Sequence, residues 1–145
     1  MNKIILLGRL TADPEVRVTT GDNPTTVARY QLAVKRKFAK EGQANADFIR
    51  CVAFGKYADF TEKYLRKGMK IVISGRLQTG SYTNEEGQKV YTADVVVEEQ
   101  EFAESKAVND EYASGSSRNT QSAQTQETGD GFMEIPENTE GLPFN

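Results

Sequence analysis

Hydrophobic and polar positions alternate with a period of two along two stretches of this chain. In residues 26–35 one face is apolar and the other is polar and basic. The apolar positions are Ala28, Tyr30, Leu32 and Val34, and the polar ones are Arg29, Gln31 and Lys35. This period is typical of a strand with one buried face, so we predict a half-buried strand whose outer face is basic.

The second alternating stretch, residues 47–54, has two faces of similar apolar character. One face holds Ile49, Cys51 and Ala53, and the other holds Phe48, Arg50, Val52 and Phe54. Residue size allows either face to be the core. A buried unpaired arginine is rare, so Arg50 favours the interpretation in which Phe48 and Phe54 face solvent.

Three more strands and one helix complete the predicted elements. Further strands are predicted over residues 2–10, 69–78 and 90–102, and a helix over residues 56–66 with Gly68 as its C-cap. The helix is indicated by Tyr57, Phe60, Tyr64 and Leu65, which recur at helical spacing. Turn signals occur at Asp13-Pro14, Gly21–Pro24 and Asn84–Gly87, the last as the tip of a long hairpin.

The order strand, strand, strand, helix, strand, strand predicts an all-β fold of the oligonucleotide/oligosaccharide-binding (OB) type. This fold is a five-stranded Greek-key barrel, and here its one helix falls between strands 3 and 4. A small sandwich or an SH3-like barrel would show similar strands. The position of the single helix favours the OB-fold.

The composition changes near residue 105. Residues 105–145 are rich in Ser, Thr, Gln, Asn, Glu and Gly, and too little apolar surface is present to offset the cost of ordering the backbone. We therefore predict a binding domain over residues 1–104 and a disordered acidic tail over residues 105–145. The net charge of −3 conceals this division, because residues 1–104 carry +2 and residues 105–145 carry −5.

The residue inventory excludes much enzyme chemistry. Cys51 is the single cysteine and histidine is absent, so no disulfide, zinc knuckle or histidine-based nucleophile can form. Asp47, Asp59 and Asp94 fall on separate elements without a metal motif. We predict no catalytic residues, no metal and no other cofactor. No apolar run suits a membrane span or a signal peptide, which indicates a soluble, cytoplasmic protein without a membrane partner.

Aromatic and basic residues occur together in the way that single-stranded nucleic acid requires. Lysine and arginine contact phosphates, and aromatic rings stack on unpaired bases at about 1–3 kcal/mol each. Here Phe38 follows the basic run Lys35-Arg36-Lys37, while Phe48 and Phe54 flank Arg50. The remaining candidates are Lys56, which follows the predicted strand of residues 47–54, and Tyr82, which lies in the long hairpin.

These residues lie within a chain that resembles the bacterial and phage single-stranded DNA-binding proteins of the homotetrameric type. The resemblance covers about residues 1–104. The matching stretches, in this order, are Asn2–Leu10, Asp13–Arg17, Phe54–Lys56, Tyr64–Gly68, Gly75–Thr79 and Gly87–Tyr91 leading into Val95–Val97.

The resemblance implies an OB-fold homotetramer that binds single-stranded DNA during replication, recombination and repair. It implies base stacking by Phe38, Phe48, Phe54 and Tyr82, and phosphate contacts by Arg50, Lys56 and Lys67. Several of these aromatic places hold tryptophan in well-known members, whereas this chain has none. An OB-fold module for RNA, an oligosaccharide or a primosome component is the alternative.

The chain's last residues resemble the family's protein-interaction tip, which contacts replication, repair and recombination proteins. The tip is Leu142-Pro143-Phe144, preceded by Glu137 and Glu140. In the family the terminal phenylalanine carries the α-carboxylate, so Asn145 moves that charge. We expect either weaker binding to the usual partners or a partner set of its own. An inert solubilising tail is the alternative interpretation.

Overall fold

The computed structural model describes residues 1–114, which form six strands and two helices. No helix in these residues is long and apolar enough to cross a membrane. The elements are β1 Ile4–Leu10, β2 Glu15–Val18, β3 Thr26–Lys35, β4 Ala46–Phe54, α1 Lys56–Tyr64, β5 Lys70–Thr83, β6 Lys89–Phe102 and α2 Lys106–Ala113.

The strands form one sheet that closes on itself. Their order is β1-β5-β6-β4-β3-β2, and β1 also pairs with β3 through Arg9 opposite Ala33 and Leu10 opposite Leu32. The pairing of β4 with β6 is parallel and the other pairings are antiparallel. A sheet that closes on itself with this crossed order is consistent with an OB-fold barrel, which confirms the predicted fold class.

The strand count differs from the predicted five because β2, which the sequence pattern did not predict, follows the turn at Asp13-Pro14. Both β1 and β2 lie against β3, since Leu10 pairs with Leu32 and Glu15 pairs with Arg29. The two pieces occupy the place of one long strand, broken at Pro14. Proline has no N–H to donate to a ladder, so the pairing lapses there. The helix α1 lies after β4, which is the predicted place.

The barrel core contains one face of each alternating strand. Gln100 is a partly buried polar residue beside the core, where its amide accepts from the Tyr30 hydroxyl at 3.1 Å and donates to the Tyr57 carbonyl at 2.8 Å. The Thr61 hydroxyl contacts the same amide at 3.3 Å. Burial raises the pKa of Tyr30. The largest fully buried side chains are Leu32, Leu65, Met69, Ile71, Ile73, Val95, Thr61 and Cys51.

The helix α1 ends two residues before the predicted end. Leu65 adopts an extended conformation, and its side chain is buried in the core. Gly68, with φ of 88°, belongs to the next turn, in which the Met69 N–H donates to the Arg66 carbonyl at 3.2 Å. The prediction that Gly68 caps α1 is therefore wrong, because Leu65 is the C-cap residue.

The second departure from prediction is α2, because the composition predicted disorder from residue 105. Residues 106–113 are helical, and this helix packs on the barrel through Tyr112, whose ring faces Gly68. Its Asn109 is buried. These tertiary contacts supply apolar burial that the local composition alone does not reveal. The remainder of the predicted tail, from residue 115, lies outside the described residues.

Candidate nucleic-acid interface

The outer face of β4 exposes two aromatic rings with a guanidinium between them. Phe48 is 63% exposed and Phe54 is 45% exposed, and Arg50 is exposed between them. On the other face Cys51 and Ala53 are buried. The interpretation in which the phenylalanines belong to the core is therefore wrong.

Tyr82 belongs to the same outer face, although it lies on another strand. The Nε of Arg50 is 3.0 Å from Oδ1 of Asp94 on β6, and Asp94 pairs with Gln78 on β5. Tyr82 is four residues further along β5 and shares its face with Gln78, because side chains alternate along a strand. The hairpin of β5 and β6 thus extends the outer face on which Phe48 and Arg50 lie.

The connection between β3 and β4 carries the most exposed of the candidate rings. Phe38 is 86% exposed, and the Lys37 Nζ lies 5.5 Å from its ring centroid. Lys35, at the end of β3, is exposed as well. These three side chains present an aromatic ring and two positive charges to solvent.

Arg36 differs from its basic neighbours because its charge is already paired. Its Nη2 and Nε donate to Oδ1 of Asp47 at 2.6 and 2.9 Å. The bonded guanidinium lowers the pKa of Asp47, and the same bond raises the pKa of Arg36. Arg36 therefore fixes the base of the connection, and a phosphate would have to compete with Asp47 for it.

Lys56 and Lys67 lie near the two ends of α1. Lys56 begins α1 two residues after Phe54, and its Nζ lies 5.0 Å from the Tyr57 ring centroid. Lys67 lies in the turn between α1 and β5, where its N–H donates to Oδ1 of Asp13 at 2.8 Å. Both lysine side chains are exposed.

The strand register thus brings Phe48, Arg50, Phe54 and Tyr82 onto one face together with Lys35. The other candidates are exposed outside the strands, Lys37 and Phe38 in the β3–β4 connection and Lys56 and Lys67 near the two ends of α1. The sequence pattern missed Arg17 and Arg29 as members of this face. It placed Arg29 on the polar side of its strand, but only the register with β2 and β4 shows what surrounds it. Within residues 1–114 no group of three His, Cys, Asp or Glu residues could hold a metal ion.

An OB-fold barrel with exposed aromatic and basic side chains on one face defines an oligonucleotide-binding class of protein. The family model described as the single-strand binding protein family matches residues 1–103. The chain belongs to that family.

Individual relatives agree with the family match. The chain is 42% identical to "Single-stranded DNA-binding protein 3" of Clostridium acetobutylicum, over all of this chain and 96% of the relative. It is 49% identical to a single-stranded DNA-binding protein of Clostridium perfringens, over 72% of this chain and 67% of the relative. For a Staphylococcus aureus protein with the same description, the identity is 46%, over 76% and 70% of the two chains.

Proposed function

We propose that this chain coats single-stranded DNA without sequence specificity and that it does so during replication, recombination and repair. The observation that carries the proposal is the exposure of Phe48 and Phe54 on either side of Arg50. Exposed phenylalanine rings lose contact with water when bases stack on them, and every base has a face to offer. The guanidinium between them is paired with Asp94 but more than half exposed, so it would exchange that carboxylate for the phosphate that links two stacked bases.

The mechanism that we propose is passive coating, with no bond made or broken. Stacking by Phe38, Phe48, Phe54 and Tyr82 would contribute about 1–3 kcal/mol per base, and the lysines supply the salt-dependent part of the affinity. Because neither term reads base edges, the protein would accept any sequence. Bound bases cannot pair with each other, so hairpins in the DNA would be removed.

Fluorescence anisotropy of labelled oligo-dT, with a duplex of equal length as control, tests this proposal. We expect binding to oligo-dT alone, weakening with salt by about 0.7 log units per neutralised phosphate per log unit of salt. Equal binding to duplex and single strand would contradict it. A preference for RNA or an oligosaccharide would favour the alternative OB-fold ligands.

We also propose a homotetramer, and the outer edge of β1 supports it. Residues Ile4–Arg9 pair with β5 on one side, but only Arg9 and Leu10 pair with β3 on the other. Ile5 and Leu7 are exposed along this edge. An apolar strand with a free edge is a template for pairing with a second copy. Light scattering after gel filtration should show four chains, and Leu7→Glu should yield smaller species; a wild-type monomer would contradict the proposal.

The tip Leu142-Pro143-Phe144 lies outside the described residues, and we propose that it recruits replication, repair and recombination proteins. Support comes from the sequence, because the tip is an apolar motif that follows a long polar stretch. Binding of the full-length chain to a purified helicase or recombination mediator should fall at least tenfold in Phe144→Ala. Unchanged binding by that variant would favour an inert tail.

A further inference from the structure

Arg29 on β3 is an exposed arginine whose side chain makes no hydrogen bond or ion pair within residues 1–114. Every other arginine in that range has at least one such contact. The contacts are Arg9 with Glu104, Arg17 with Glu15, Arg36 with Asp47, Arg50 with Asp94, Arg66 with the Glu62 carbonyl and Arg76 with Gln78. The described part of the chain thus leaves one guanidinium with all its donors free.

The strand register places Arg29 between two members of the candidate interface. Arg29 pairs with Val52 on β4, and the adjacent same-face positions of β4 are Arg50 and Phe54. Both are therefore diagonal neighbours of Arg29 across the strand pair, at about 7–8 Å between backbones, which is within reach of long side chains.

On its other side Arg29 faces β2. It pairs with Glu15, and the next outward position of β2 is Arg17, which pairs with Val27. Arg17, Arg29 and Arg50 consequently form a diagonal across three adjacent strands, which we call the arginine diagonal. The two phenylalanines of β4 lie on either side of its Arg50 end.

Two surface grooves meet at Arg29. One, of about 590 Å³, runs past Arg50 and Asp13, and the other, of about 400 Å³, runs past Arg17 and Val18. Arg29 and Glu15 line both grooves. A strand of DNA leaving Arg50 along the first groove would therefore reach the second groove, and with it β2, at Arg29.

We propose that Arg29 binds a DNA phosphate and that the bound strand continues along the arginine diagonal from Arg50 to Arg17. This inference rests on the proposed function and adds a path to it. A guanidinium presents a planar fork that matches phosphate oxygens, and at Arg29 no carboxylate must first be displaced. At Arg17 the ion pair with Glu15 is exposed, so exchanging it for a phosphate costs little.

The salt dependence of oligo-dT binding to the full-length protein tests the inference, with Arg29→Gln as the variant. Losing one phosphate contact should lower the slope of log affinity against log salt by about 0.7 per occupied barrel. Arg29→Lys should keep the wild-type slope because it keeps the charge. Lys106→Gln, which removes one positive charge from α2, is the matched control and should also keep that slope.

A substitution at Glu15 should change the affinity for oligo-dT in the opposite direction. Its carboxylate lines both grooves, so Glu15→Gln should tighten binding about twofold to fivefold at low salt by removing a like charge from the path of the phosphates. Arg29 is exposed, and its variant should melt at the wild-type temperature. An Arg29→Gln slope equal to that of wild type would overturn the inference. Failure of the proposed function would be seen separately, because the wild-type protein would then bind a duplex as well as it binds oligo-dT.

Discussion

The ring of Tyr112 in α2 lies against the backbone of Gly68, in the turn before β5. A Cβ atom at residue 68 would come within 2.7 Å of Cε1 of that ring. The guanidinium of Arg9 completes the contact, since it donates to the Gly68 carbonyl at 2.9 Å and to Glu104 at 3.0 Å. Glycine is thus required at residue 68 by its positive φ and by the aromatic ring above it.

Replacing Gly68 by alanine should destabilise the protein through both requirements. The left-handed φ of 88° costs about 1 kcal/mol for alanine, and the clash with Tyr112 adds about 1–2 kcal/mol. Gly87→Ala is the matched control, because Gly87 has a φ of 78° and open space around its Cβ position. Urea unfolding measures both variants.

A Tyr112→Ala background separates the cost of the positive φ at residue 68 from the cost of the clash with the ring. There Gly68→Ala should cost no more than Gly87→Ala does, since only the φ term remains. If the extra cost persists without the ring, then α2 does not pack on Gly68 in solution.

Tyr82 and Tyr91 offer a matched pair of exposed aromatic residues on one hairpin. They are 57% and 75% exposed, but Tyr91 pairs with Ser81 whereas Tyr82 pairs with Val90, so the two rings lie on opposite faces. Tyr82→Ala should weaken oligo-dT binding about fivefold to a hundredfold, as expected for the loss of one stacked base. Tyr91→Ala should change affinity less than twofold. Equal losses in an anisotropy titration would contradict the assignment of the DNA to one face.

Gln100 is expected to matter more for stability than its polar character suggests. Gln100→Leu leaves the buried Tyr30 hydroxyl without this partner, at a cost of about 1–3 kcal/mol, whereas the Tyr57 carbonyl still accepts from the Thr61 hydroxyl at 2.7 Å. Adding Tyr30→Phe to Gln100→Leu should recover part of that loss, because the unpaired hydroxyl disappears. If the double variant's loss in free energy of unfolding, measured in urea, equals the sum of the losses of Gln100→Leu and Tyr30→Phe, then the two residues are not coupled.

Cys51 should be unreactive in the folded protein. The side chain is buried, and burial raises the pKa of its thiol to about 12, so that only about one thiol in ten thousand is ionised at pH 8. Labelling with Ellman's reagent should proceed only through unfolding and should be complete within minutes in guanidinium. Rapid labelling of the native protein, proportional to reagent concentration, would contradict this prediction.

The same pKa gives stability a dependence on pH. The folded-state pKa of Cys51 exceeds its ordinary value of 9.0, so its contribution is fully present below about pH 9 and is lost as the pH rises toward 12. Between pH 9 and pH 12 the free energy of unfolding should therefore fall less in Cys51→Ala than in the wild-type protein.

The sequence pattern predicted the barrel well because alternation reports burial directly. The single arginine of β4 sufficed to orient that strand, and Phe48 and Phe54 are exposed as it indicated. The pattern failed where structure depends on distant partners. Four residues, Glu15–Val18, are too few to show a period, and α2 is ordered through Tyr112 and Gly68, which are 44 residues apart. Arg29 needed the register of three strands before its surroundings were visible.

The pairing of Ile4 with Gly75 has a consequence for the time course of synthesis. At about 5–20 residues per second, β1 waits roughly 4–14 seconds for its partner strand β5 to be made. Throughout that interval Ile4–Gly8 have no partner strand within their own chain, because β3 pairs only with Arg9 and Leu10. Neighbouring ribosomes on one messenger RNA would hold several such strands close together, so a slowly translated codon between β1 and β5 would lengthen the period in which copies can aggregate.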